Sequence, residues 1–235
     1  MDLSKRLKTV ADFIDSKVEV LADIGSDHAY LPIYLIKHNK IKRAIAGEVI
    51  PGPYDHAVQE VKTAGYEKLI DVCLGDGLEV IQENDTVDAI TICGMGADLI
   101  VRILDDGLKN GKISGHEQLI LQPNINEYTL RTWLMDHGYQ IDQEAIVEDN
   151  KRFYEIIVAT KANEKQQYSE YELKYGIYLP QKQIPDFKGK WKEKLDKLDY
   201  IYNEISKSKR PQESKLSALK NEMSEIKEML KDGND

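Results

Sequence analysis

The stretch that most constrains this chain is Val20-Leu21-Ala22-Asp23-Ile24-Gly25-Ser26-Asp27-His28-Ala29-Tyr30-Leu31-Pro32. A short apolar run ends in Asp-Ile-Gly, turns, and passes directly into a segment that can be helical. This is the strand–turn–helix opening of a nucleotide-binding α/β domain. A glycine lets backbone approach a ligand closely, and the helix start behind it offers free N–H groups. A dinucleotide fingerprint needs further glycines, and Asp27 stands where the second would be. A carboxylate at that turn suits a cationic or hydroxyl-bearing ligand better than a pyrophosphate. S-adenosylmethionine, with its sulfonium, amine and ribose, meets that description.

The strand candidates alternate with helical stretches. Val18–Ile24, Arg43–Glu48, Ile70–Leu74, Ala89–Cys93 and Gln118–Leu121 read as strands. Helices are expected through Tyr30–Lys37, Tyr54–Ala64, Ala97–Leu104 and Tyr128–His137. Apolar strands without strict alternation imply helices on both faces, hence a parallel sheet. The last pair, Tyr139–Glu148 and Phe153–Thr160, is separated only by Asp149-Asn150-Lys151-Arg152. So short a gap permits a hairpin and forbids a helical crossover. The fold class is therefore α/β: a Rossmann-like sheet ending in an antiparallel hairpin, the outline of class I S-adenosylmethionine-dependent methyltransferases. An NAD oxidoreductase is disfavoured by the lone Gly25 and by that hairpin.

Ahead of the sheet, Leu3, Leu7, Val10, Ala11 and Ile14 recur at helical spacing behind Ser4, a suitable N-cap. Lys5 and Arg6 are assigned to a basic, outward side. From Asn163 the composition changes. Trp191, Leu195, Leu198, Tyr202 and Ile205, then Leu216, Leu219, Met223, Ile226 and Leu230, step by three and four residues. Pro211 lies between the two runs. Residues 1–162 thus read as the methyltransferase domain and 163–235 as an antiparallel helical hairpin of coiled-coil type, joined by a short helix over Tyr168–Tyr178.

The net charge of −9 weighs against nucleic acid as a partner, but its distribution weakens that argument. Residues 1–160 hold 16 Lys and Arg against 27 Asp and Glu; residues 161–235 hold 16 against 14. The tail is mildly basic. With no long apolar run and no leader-like start, a cytoplasmic protein without membrane association is expected. Cys73 and Cys93 have no metal-type spacing and read as reduced core thiols. No metal site and no stable protein partner are expected.

Ligands of open α/β sheets bind beyond the carboxyl ends of the strands. Four polar groups fall there in register: Asp23–His28, Glu48, Asp76 between two glycines, and Gly94-Met95-Gly96. Glu48 can accept ribose hydroxyls, Asp76 an adenine amine, and Met95 can cover an adenine face. Gln122-Pro123-Asn124 follows the fifth strand and can present amides to a base edge. Asp27 is read either as a proton acceptor or as an anchor for the cofactor amine.

In this order, Asp-Ile-Gly-Ser-Asp-His-Ala-Tyr-Leu-Pro at 23–32, Gly47-Glu48-Val49 with Gly52-Pro53, Gly75-Asp76-Gly77-Leu78, Gly94-Met95-Gly96, Leu119-Ile120-Leu121-Gln122-Pro123-Asn124 and Tyr154-Glu155-Ile156 resemble the bacterial TrmK family of tRNA (adenine-22-N1)-methyltransferases. Ala97 departs from that pattern, where a glycine is expected. The resemblance implies methyl transfer from S-adenosylmethionine to N1 of adenosine 22 in the tRNA D-arm. It implies cofactor contacts from Asp23, Gly25, Asp27, Glu48, Asp76, Gly77, Gly94 and Met95, and their neighbours Ser26, His28 and Val49 are expected to join them. Asp27, Gln122 and Asn124 would face the adenine. Lys5, Arg6, Lys188, Lys190, Lys192, Lys194, Lys207, Lys209 and Arg210 would meet tRNA phosphates. Two other readings stand: a methyltransferase acting on another RNA or a small molecule, and a non-catalytic RNA-binding module on the same fold.

Overall fold

The computed structural model describes residues 3–208 and 212–231. Among the described residues seven strands form one sheet: β1 (Val20–Ile24), β2 (Arg43–Glu48), β3 (Ile70–Leu74), β4 (Ala89–Met95), β5 (Gln118–Pro123), β6 (Tyr139–Asp149) and β7 (Arg152–Lys161). Their order is β3-β2-β1-β4-β5-β7-β6. β1 to β5 pair in parallel, and β7 runs antiparallel between β5 and β6. The strand order reverses between β1 and β4, and a crevice opens at such a point beyond the strand ends. β6 and β7 are joined by Asn150 and Lys151, both with positive φ, the two-residue turn whose twist matches paired strands.

Five helices flank this sheet in the first part of the chain: α1 (Lys5–Asp12), α2 (Tyr30–Lys37), α3 (Pro51–Ala64), α4 (Ala97–Lys109) and α5 (Glu127–Asp136). Ser4 caps α1 by accepting the Leu7 N–H at 3.2 Å. Pro51 occupies the start of α3, where a missing N–H costs nothing. Leu21, Ile90, Ile92, Leu119 and Ile120 are at most 1% exposed, as expected for strands covered on both faces.

The hairpin is bound to α5 by a buried ion triad. Arg131 of α5 bonds Glu144 of β6 at 2.7 Å and Glu155 of β7 at 2.5 Å, all three inaccessible or nearly so. Burial works to lower the Arg131 pKa, and the two carboxylates outweigh it, so the guanidinium stays charged. Removing one member of such a group leaves an uncompensated charge and costs about 3–5 kcal/mol.

The residues through Lys174 form one compact unit, and Tyr175 onward forms a second. The division falls later than the sequence boundary at 162/163, because the connecting segment is tied to the sheet. The Tyr168 hydroxyl accepts the Ile141 N–H at 2.9 Å, and the Leu173 carbonyl accepts from Arg131 at 3.4 Å. Within the expected helix over Tyr168–Tyr178 only α6 (Glu170–Tyr175) is helical, and a separate short α7 (Leu179–Lys182) follows it. In the second unit α8 (Pro185–Ser206) packs on α9 (Glu213–Met229). Gln183 bonds the Met229 carbonyl and Lys194 meets Glu222 at 3.5 Å, so the two helices run antiparallel. All ten apolar residues expected on their facing stripes are buried or half-buried. Lys209, Arg210 and Pro211 lie outside the described residues. No helix among those described is long and apolar enough to cross a membrane.

Candidate active site

The loop after β1 is held in an unfavourable backbone conformation. Asp27, His28 and Ala29 have φ of 44°, 68° and 57°, and Gly25 has 67°. A left-handed residue other than glycine costs roughly 1–2 kcal/mol. The surroundings hold the loop there. The N–H groups of Gly25 and Ser26 both donate to the Gly47 carbonyl, at 2.9 and 3.1 Å. Asp27 N–H donates to Glu48 Oε1 at 2.6 Å. Beneath the loop, Asp23 accepts the hydroxyls of Ser26 and Thr91, each at 2.6 Å. Burial pushes the Asp23 carboxyl up to about 6 against those two hydrogen bonds. Burial also raises Glu48, opposed by the Asp27 N–H. Asp23 and Ser26 therefore act on the loop from below. The Asp27 side chain is 82% exposed, with His28 Nε2 at 3.4 Å.

The opposite wall comes from β4 and β5. Their ladder is regular to Cys93–Gln122 and resumes at Met95–Pro123, so Gly94 is a bulge residue with φ of 79°. A bulge breaks the ladder and leaves backbone groups without strand partners. Side chains at the end of β5 and just beyond it take their place. Gln122 Oε1 accepts the Gly94 N–H at 3.0 Å, and Asn124 Nδ2 donates to the Gly94 carbonyl at 2.7 Å. Gln122 Oε1 also accepts from the Arg6 guanidinium, while its Nε2 donates to the Pro123 carbonyl and to Asn124 Oδ1.

Two adjoining cavities lie along this edge, one of about 310 Å³ and one of about 160 Å³. The larger is lined by Arg6, Asp23, Asp27, Met95, Asn124 and Tyr154, the smaller by Val49, Asp76, Gly77, Leu99 and Arg102 among others. Gly25 and Met95 line both. The Arg6 guanidinium lies 5.5 Å from the centre of the Tyr154 ring. Cys93 backs the larger cavity and is half-buried rather than fully buried; burial and Asp23 push its thiol up. A third cavity, about 420 Å³, opens between Arg43, Val58, Cys73 and Asp85 toward the amino ends of β2 and β3. It is the more spacious one, but the carboxyl-end groups converge elsewhere.

Most of the sequence-derived residues meet here, with four corrections. Gln122 does not face an open base-binding space: it is 0% exposed and its amide makes four hydrogen bonds. His28 lines neither lobe and instead stacks on Tyr30, with ring centres 5.1 Å apart. Arg6 belongs to this site rather than to an outward basic face. Its position, three after Leu3 and four before Val10, already put it on the apolar stripe. Among the tail lysines, Lys194 and Lys207 are paired with Glu222 and Glu204, and Lys190 lies over the Trp191 ring. Tyr154, Leu99 and Arg102 were not singled out as site residues, because only tertiary packing brings them to the strand ends. Among the described residues no group of three His, Cys, Asp or Glu could hold a metal ion.

A Rossmann-like sheet closed by an antiparallel hairpin, with carboxylates and a glycine turn facing one crevice, defines an S-adenosylmethionine-dependent methyltransferase. The chain belongs to the TrmK family, whose model, tRNA (adenine(22)-N(1))-methyltransferase, matches residues 21–228. It is 40% identical over 239 aligned residues to the tRNA (adenine(22)-N(1))-methyltransferase of Bacillus subtilis, covering 99% of both chains. A Streptococcus pneumoniae structure in complex with S-adenosyl-L-methionine superposes with a TM-score of 0.87 at 42% identity, over 97% of this chain and 100% of that one. The M. capricolum TrmK structure with S-adenosyl-homocysteine gives 0.84 at 30% identity, over 97% of both.

Proposed function

We propose that this protein transfers the methyl group of S-adenosylmethionine to N1 of adenosine 22 in tRNA. The observation that carries this reading is the larger cavity, where an exposed carboxylate, Asp27, adjoins a guanidinium, Arg6, and an aromatic ring, Tyr154. The residues fit the cofactor. Gly25 has no side chain between the two lobes and only the flexible Met95 packs against it, so a ligand with a polar end and an aromatic end can span them once Met95 moves aside. Glu48 keeps one carboxylate oxygen without a hydrogen bond among the described residues; it is 7% exposed and lines neither lobe, so a ribose hydroxyl reaches it only by opening the edge of the crevice. The Asp76 carboxylate beside Val49 and Leu99 suits an adenine and its amine. When bound, the cofactor supplies an activated methyl group on a sulfonium.

The chain's own part is positioning and charge. N1 of neutral adenine bears a lone pair, so aligning it with the donor supplies much of the acceleration. N1 lies on the Watson–Crick edge, and the base must leave its stack to present it. Tyr154 offers a face for that base, and Asn124 stands at the same wall. Methylation leaves a positive charge on the adenine. Asp27 can stabilise that charge or take the N6 proton as it leaves. Of the α8 lysines read from the sequence as phosphate contacts, Lys188 and Lys192 have no ion pair among the described residues and are assigned that role here. Lys5, Lys190, Lys194 and Lys207 would add to these only by giving up their present partners.

Asp27→Asn keeps the shape of the side chain and removes its charge and basicity. Turnover should fall on the order of 10²- to 10⁴-fold with cofactor affinity changed far less, the loss typical of a missing general base. Turnover number and S-adenosylmethionine dissociation constant, measured on this variant with tRNA carrying A22, check it. Normal turnover at saturating cofactor would leave Asp27 as an amine anchor only. A protein that methylates a small molecule but no tRNA would favour the other methyltransferase reading.

A further inference from the structure

A separate cavity of about 230 Å³ lies between α2 and α3, closed by Leu3 ahead of α1 and by Tyr66 after α3, away from the cofactor crevice. Leu3 and Ile33 contribute apolar surface, and Tyr30, Tyr34 and Tyr66 line it with three aromatic rings. Lys37 and Glu60 also line it. Among the described residues the three hydroxyls have no hydrogen-bond partner and Lys37 has no ion pair. A pocket near 150 Å³ accommodates a benzene ring, so this one has room for a single heteroaromatic ring system. Aromatic rings beside an unpaired cation are the chemistry that stacks a nucleobase and meets its phosphate. Glu60 can accept from an exocyclic amine.

The pocket also touches the catalytic loop. Tyr30, one of its walls, stacks on His28 at 5.1 Å and 15°, and His28 Nε2 lies 3.4 Å from Asp27 Oδ1. An occupant packed on Tyr30 would therefore bear on the loop whose three residues sit at positive φ.

On the reading that this chain methylates tRNA, we propose that the Tyr30–Tyr34–Tyr66 pocket is a second nucleotide subsite, which takes an unpaired nucleotide of the same RNA with its phosphate at Lys37. The occupant is a nucleotide of the bound RNA rather than a free mononucleotide, because Lys37 offers one cation, too little charge to hold a free phosphate monoester. Filling it anchors the RNA and braces the Asp27–His28 loop through Tyr30.

The test measures direct binding of tRNA, independent of turnover, together with steady-state kinetics. Lys37→Glu changes an exposed residue and should leave the fold intact. Tyr34→Leu removes one stacking face, and Tyr34→Phe keeps it. Lys37→Glu and Tyr34→Leu should each weaken tRNA binding on the order of tenfold, as expected for a lost stacking partner or phosphate contact. Tyr34→Phe should bind as wild type. The dissociation constant for S-adenosylmethionine should not move, and KM for tRNA should rise more than kcat falls. Unchanged tRNA affinity in Lys37→Glu and Tyr34→Leu overturns the proposal. So does adenosine monophosphate or guanosine monophosphate that binds the wild type and is lost in these variants while tRNA affinity holds, which would make the pocket a free-nucleotide site. A wild type that binds tRNA through this pocket without methylating it would separate the two readings: the subsite stands and the proposed activity falls.

Discussion

The Gln122 side chain takes the place of a strand partner for Gly94: its Oε1 accepts the Gly94 N–H at 3.0 Å where the β4–β5 ladder is interrupted. Gly94 thereby leads Met95 out over the crevice. The same oxygen receives Arg6, so one buried amide joins α1, β4 and β5 at the site.

Gln122→Ala leaves the Gly94 N–H and Asn124 Oδ1 each without a partner. Gly94 and Asn124 are exposed, so water replaces part of what is lost, and the cost lies toward the low end of the about 1–3 kcal/mol of an unsatisfied buried group. The variant should lose on the order of 1 kcal/mol in urea denaturation and lose cofactor affinity at the same time. A stable variant with normal cofactor affinity and only a raised KM for tRNA would instead make Gln122 a base reader.

Gly25→Ala places a methyl group against Met95 Cε at a φ of 67°. The backbone cost is roughly 1–2 kcal/mol, and the flexible Met95 side chain must move off the glycine. Cofactor binding by calorimetry should weaken at least tenfold. Adding Met95→Ala should recover packing but not the backbone cost, so the double variant should remain less stable than Met95→Ala alone.

Asp23 gives a pH signature. Burial raises its carboxyl from 3.8 to about 6 in the folded protein. A carboxyl with a raised folded pKa takes up protons on folding, so its ionisation costs stability as pH rises from about 4 through 6. The shift corresponds to about 3 kcal/mol. Asp23→Asn does not titrate. The stability of wild type relative to this variant should therefore be greater at pH 4 than at pH 7, measured by denaturant midpoint at both values. A pH-independent difference would contradict the raised carboxyl.

A chain ending at Lys174 should fold and bind S-adenosylmethionine, because its bonds to Ile141 and Arg131 are kept. A chain ending at residue 162 loses both and should melt several degrees lower. Both should lose tRNA methylation more than cofactor binding if α8 and α9 carry RNA contacts. Equal melting temperatures would place residues 163–174 outside the body's stability.

Local pattern was enough for the succession of strands and helices along the chain. Continuous apolar runs, a two-residue hairpin turn and the glycine after β1 each depend on neighbours in sequence, and α2, β2 and β3 begin and end where the residues imply. The carboxylates and glycines at the strand ends were legible for the same reason, since a parallel sheet brings all its carboxyl ends to one edge. The contacts across that edge were not. Whether Gln122 reads a base or braces a bulge depends on a register shift between β4 and β5, which no periodicity records. Arg6 and Tyr154 come together across nearly the whole body through packing of α1 against the β6–β7 hairpin. Side chains from distant segments are directed by the volume left between packed elements, and that volume exists only once the chain has folded.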